Sequence, residues 1–79
     1  MINKFFKNEK LIKIPKKHEA KLEVFEFFHS KFEYNKEYSE KDVNEILKEY
    51  FDDYAVLRRY LVDFKYLKRD KNGKIYEKM

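Results

Sequence analysis

The chain has no cysteine, one glycine, one proline, and no apolar run near the roughly 18 residues of a membrane-crossing helix. Without cysteine there is neither a disulfide framework nor a thiolate metal site, and a reducing compartment fits. With Gly73 as its only glycine, the chain cannot form a glycine-rich phosphate loop. The N-terminus lacks the apolar core of a signal peptide, so the expectation is a soluble, cytoplasmic protein with no membrane partner.

What is present is aromatic and charged. A 79-residue domain buries only about 60% of the surface its unfolded chain exposes. Eight Phe and seven Tyr compensate, each able to bury roughly 150–250 Å². The formal net charge is +4, but lysine dominates arginine alongside many Asn, Ile, Tyr and Phe, the pattern of an AT-rich coding sequence. The distribution of charge says more than its sum: basic from Met1 to His18, acidic from Glu19 to Asp53, basic again from Tyr54 onward. That layout suits a basic face for an anionic partner, or ends that fold onto an acidic middle.

The first 14 residues read as an arm ending in a short strand, stopped by Pro15, which suits the first turn of a helix. Leu22, Val24, Phe25, Phe28 and Phe32, widened by Phe27, predict a first helix over about Lys16 to Lys31. Glu33 to Glu37 is a polar connection in which Asn35 suits a left-handed helix cap. Ser39 with Asp42 three residues on forms a capping box, and Tyr38 can staple against Val43. Val43, Ile46, Leu47, Tyr50 and Phe51 then give a second helix one buried face. Asp52 or Asp53 caps a third helix with the inward stripe Tyr54, Leu57, Leu61 and Phe64. Asn72-Gly73 between two short strand-like runs is a hairpin signal. A tight turn there puts Leu67 and Tyr76 on one face, a three-residue loop puts Tyr76 beside Lys68, and the first buries more apolar surface.

The expected fold is therefore α+β, mainly α: a winged helix-turn-helix of three helices and a C-terminal hairpin wing over 15–79, preceded by the arm over 1–14.

The runs "KIPKK", "YSEKDVNEILKEYFDDYAVLRRYLVDF" and "LKRDKNGKIY" resemble the bacterial domain of unknown function 2087 (DUF2087) family. Its pattern has an Ile-Pro element, Y-[ST]-E-x-[ED]-V-N-x-I-L, and D-x-x-x-L-R-R-x-L-V-D. Here these are Ile14-Pro15, Tyr38 to Leu47, and Asp53 to Asp63, so the resemblance covers nearly all of the chain after about Lys10. It implies a domain found alone or attached to DNA-binding domains of transcriptional regulators, with no catalytic or ligand residues assigned. Two positions depart from the family: Lys65 stands where a glycine usually follows the third helix, and Phe51 where a histidine often precedes the acidic pair.

The candidate nucleic-acid contacts are Arg59, Lys68, Arg69, Lys71 and Lys74. At 100° per residue, Arg59 lies opposite the Leu57/Leu61 stripe, free to meet a phosphate or a guanine edge. The wing cations are expected to share its side of the domain and to follow phosphates or enter a minor groove. Arg58, at the core edge, is expected to pair with a carboxylate from the second helix or from Asp63. It joins Ser39, Asp42 and Asp53 as a structural polar group.

Against a DNA role stand Asp52 and Asp53 at the start of the third helix and Ala55, Val56, Tyr60 and Val62 around Arg59. A helix so apolar calls for a cover, from Phe5, Phe6, Leu11 or Ile12, or from a second subunit. The Asp52-Asp53 pair is explained by helix capping without catalysis. His18 and His29, about 16 Å apart on one helix, cannot share a metal. The leading expectation is a regulator-type domain that binds double-stranded DNA. The alternative is an interaction or dimerisation module on the same fold, binding a second copy or a regulator protein. No enzyme activity, cofactor or metal is expected.

Overall fold

The computed structural model describes residues 6–8 and 10–79, so the expectation for Phe5 lies outside the described residues. In chain order the elements are β1 (Phe6–Lys7), β2 (Lys10–Leu11), α1 (His18–His29), β3 (Glu37–Ser39), α2 (Glu40–Lys48), α3 (Tyr54–Asp63), β4 (Leu67–Arg69) and β5 (Ile75–Lys78). The described residues form a small α+β fold of three helices and two antiparallel sheets, in an order compatible with a winged-helix-like arrangement.

The arm is a hairpin, not a single strand. Phe6 pairs with Leu11 and Lys7 with Lys10, and Asn8 takes the left-handed conformation (φ 52°) that asparagine tolerates. Leu11 N–H donates to the Tyr50 carbonyl (2.6 Å), which ties this hairpin to the end of α2. Leu11 is 5% exposed and belongs to the main core, although it lies on the arm side of residue 15. α1 starts later than expected: Pro15 is buried ahead of the helix, and Lys17 is still extended at ψ 136°. The first helical bond is therefore Lys21 N to Lys17 O.

Three faces meet in the core. Val24, Phe25 and Phe28 from α1, Val43 and Leu47 from α2, and Leu57 and Leu61 from α3 are fully buried. The sheet closes the core with Tyr38, Leu67 and Tyr76. Ser39 Oγ accepts from Asp42 N, and Asp42 Oδ2 accepts from Ser39 N, so α2 begins in a complete capping box. Asp53 occupies the cap position of α3, but its side chain makes no capping bond; at ψ 60° its backbone departs from the extended geometry that aims a cap side chain at the helix. Asn35 is left-handed (φ 61°) within the turn before β3, not as a helix cap.

The C-terminal hairpin is part of a larger sheet. β5 is its central strand, with β4 on one side and β3 on the other, in the order β3-β5-β4. Tyr38 sits opposite Tyr76, and Tyr76 opposite Arg69. This is the register that puts Leu67 and Tyr76 on one buried face. The loop is longer than a two-residue turn, however. Asp70 and Ile75 still pair, Gly73 N donates back to Asp70 O (3.1 Å), and Gly73 takes φ 68°, where a side chain would be strained. A four-residue loop keeps the parity of a two-residue one, so the same faces are buried.

Lys65, just past the Phe64 cap of α3, ends the helix in the left-handed conformation. Lys65 adopts φ 65°, its N–H donates to Val62 O (3.0 Å), and Tyr66 N–H donates to Leu61 O (2.8 Å). These two bonds are a Schellman motif, built here with lysine at the left-handed position that glycine normally fills.

Candidate nucleic-acid interface

The outward face of α3 carries Ala55, Val56, Arg59, Val62 and Asp63, turned away from the buried Leu57 and Leu61. Across from it stands the C-terminal hairpin, and between them runs a groove of about 530 Å³ lined also by Arg58, Arg69 and Tyr76. Three arginines therefore line one groove, with Asp63 the single carboxylate among its described lining residues.

Each arginine is held differently. Arg58 Nη1 donates to Asn44 Oδ1, and its Nη2 lies 3.4 Å from Glu40 Oε1, both partners on α2. Glu40 Oε1 also accepts from the Tyr76 hydroxyl (3.4 Å), so the sheet joins the same network. Glu40 and Asn44 come from the Tyr38 to Leu47 motif and Arg58 from the Asp53 to Asp63 motif, and the fold brings the two together here. The helix-two carboxylate is the kind of partner the sequence pointed to, whereas Asn44 was missed; its place one helical turn beyond Glu40 was the available signal.

Arg59 is 85% exposed and lies 3.8 Å from Asp63, itself 60% exposed, one turn along α3. An exposed pair of this kind contributes about 0.3–0.5 kcal/mol, too little to withhold Arg59 from another anion. Arg69 faces the groove because it shares the Leu67/Tyr76 side of the sheet, and its guanidinium lies beside Gly73, close to 3.7 Å from where a Cβ there would be. Among the described residues Arg69 has no ion-pair partner. Lys71 and Lys74 are exposed in the loop. Asp70 shapes that loop: its carboxylate accepts from Lys74 N (2.7 Å) and Ile75 N (3.2 Å), bonds that hold its pKa below the usual range.

Lys68 is separated from this group. It pairs with Glu77 on the face opposite Leu67, Arg69 and Tyr76, because successive strand residues point to opposite sides. The expected single-sided cluster of wing cations is thus divided, with Lys68 behind the sheet.

Leu11 shares the core with Leu57 and Leu61, but the aromatic cover of α3 comes from α1, which the sequence did not offer. Tyr60 stacks on Phe25 of α1 (5.6 Å between centroids), and Phe64 packs on Phe25 as well (5.1 Å). Phe6 instead meets Phe27 and Phe28 (4.8 and 6.4 Å), on another side of α1, and Ile12 is 55% exposed. Val56 keeps 42% of its surface in solvent. At the start of α3, Asp52 and Asp53 are both exposed. The histidines serve packing: His18 lies against Phe64, and His29 Nε2 contacts the Met79 carbonyl oxygen (2.6 Å).

Among the described residues no helix is long and apolar enough to cross a membrane, and no three His, Cys, Asp or Glu side chains gather as metal ligands. A family model described as an uncharacterized protein conserved in bacteria (DUF2087) matches residues 10–78. No curated protein and no solved structure matches the chain significantly.

Proposed function

Because the chain belongs to DUF2087, a bacterial family of uncharacterized proteins, its role has to be read from its site, and we propose that it is a winged-helix domain that binds double-stranded nucleic acid between α3 and the hairpin wing. The observation that carries this reading is the groove lined by Arg58, Arg59 and Arg69, with Asp63 the one carboxylate among its described lining residues. Guanidinium groups match phosphate oxygens with paired, charge-assisted hydrogen bonds. Arg58 is committed to Asn44 and Glu40 and forms the floor, which leaves Arg59 and Arg69 as contacts, continued by Lys71 and Lys74 at the wing tip. In this reading Lys68 contributes only to the long-range field.

Fluorescence anisotropy with a generic labelled duplex tests the proposal. Four phosphate contacts predict a slope of about −3.6 in log K against log salt, and so roughly a 150-fold loss of affinity between about 50 and 200 mM salt. Absence of binding at low salt would overturn it.

One observation favours a second reading, an interface with another copy or a regulator protein. The first half of α3 exposes Val56 and Ala55 beside Asp52 and Asp53, an apolar and acidic patch unsuited to DNA. Sedimentation of the wild type and of Val56→Lys tests it, since an interface there would dissociate in the variant.

A further inference from the structure

We infer that the groove reads the phosphodiester backbone and not base edges, so that duplexes of any sequence are bound alike. This rests on the nucleic-acid reading above and narrows its ligand to sequence-independent duplex. A helix that reads bases needs donors and acceptors on its exposed face, above all in its first turns. In α3 the first-turn exposed side chains are Ala55 and Val56, which have neither. The next is Arg59, the only groove-facing donor of the helix outside the Arg58 network, and Val62 and Asp63 follow it. Ten residues make a helix only about 15 Å long, so no later turn supplies what the first ones lack.

Charge placement leads to the same conclusion. Asp52 and Asp53 stand exposed where the start of a recognition helix would enter the major groove between two rows of phosphates. Their repulsion keeps that end of α3 out. Its second half and the wing carry Arg59, Arg69, Lys71 and Lys74, so the domain meets the duplex with cations spread along a ridge and groove. Such a set follows the spacing of phosphates, which is common to all sequences.

The experiment is a panel of equal-length duplexes, one all A·T, one all G·C and several of mixed sequence, each titrated at the same series of salt concentrations with wild type, Arg59→Ala and Arg69→Ala. The expected result is wild-type affinities within about threefold across the panel, against the roughly 10³-fold or greater preference of sequence-specific proteins. Both variants should weaken binding to every duplex by the same factor and lower the salt slope by about one unit each. Circular dichroism melting confirms that the variants stay folded. A duplex preferred by more than tenfold, or an Arg59→Ala variant that loses affinity for one sequence only, would overturn this inference and leave the nucleic-acid reading standing. No binding to any duplex at low salt would sink both.

Discussion

Arg58 on α3 donates a hydrogen bond to Asn44 Oδ1 on α2, and this link joins the two helices beside the groove. The neighbouring Glu40 carboxylate is 49% exposed, so its ion pair with Arg58 adds little by itself. The Arg58 side chain is only 21% exposed, and the bond to Asn44 is charge-assisted and partly sheltered. Arg58→Ala should therefore cost about 1–3 kcal/mol in urea denaturation. Arg58→Lys should recover little, because a lysine has no fork to span Asn44 and Glu40 together. Full recovery by lysine would mean that charge alone matters here.

Ser39→Ala should cost about 0.5–2 kcal/mol, since it leaves the Asp42 N–H without its acceptor at the start of α2. Thermal melting at matched pH measures this. A neutral outcome would show that water replaces the hydroxyl without loss.

The start of α2, the helical stripes and the hairpin register were legible because each depends on residues close in sequence. Ser39 and Asp42 are three apart, and the parity of the 70–75 loop follows from burying both Leu67 and Tyr76. β3 was not legible. It is three residues long with one buried side chain, Tyr38, and it exists because Tyr38 pairs with Tyr76 far along the chain. The part of the α3 cover that comes from Phe25 was missed for a related reason: Phe6 and Phe25 offer similar surface, and only three-dimensional packing puts Phe25 against Tyr60 and Phe6 against Phe27. Among the site residues, the outward turn of Arg59 followed from helical period. The separation of Lys68 from Arg69 was implicit in the strand period, but charge clustering in the sequence concealed it.

Phe6→Ala should destabilise the domain by about 1–2 kcal/mol, because its half-buried ring meets both Phe27 and Phe28. The variant should also bind more of a hydrophobic dye. An unchanged melting temperature and unchanged dye binding would show that the N-terminal hairpin packs without consequence.

Lys65→Gly should stabilise the protein. A lysine at φ 65° carries about 1–2 kcal/mol of left-handed strain, and relieving it outweighs the roughly 0.4–1 kcal/mol that glycine adds to the freedom of the unfolded chain. The expected gain is roughly 0.5–1 kcal/mol, seen as a melting temperature a few degrees higher. Lys65→Val should be destabilising, since β-branching makes the same conformation harder still. Equal stability of the glycine and valine variants would argue against a Schellman end to α3.

Acid should loosen the C-terminal hairpin through Asp70. Backbone N–H groups of Lys74 first and Ile75 second hold its carboxyl below the ordinary value near 3.8. A carboxylate depressed on folding contributes stability that is fully present above its unfolded pKa and is lost as pH falls through the lower folded value. Asp70→Asn keeps an acceptor oxygen but not the charge, so it should be less stable than wild type at neutral pH and should lose less on acidification. The gap between the two should therefore narrow below about pH 3.8. Amide exchange at Lys74 and Ile75 offers a local readout, with faster exchange expected in the variant near neutral pH. Parallel stability curves for the two proteins across the acid range would show that the Asp70 charge is immaterial to the turn.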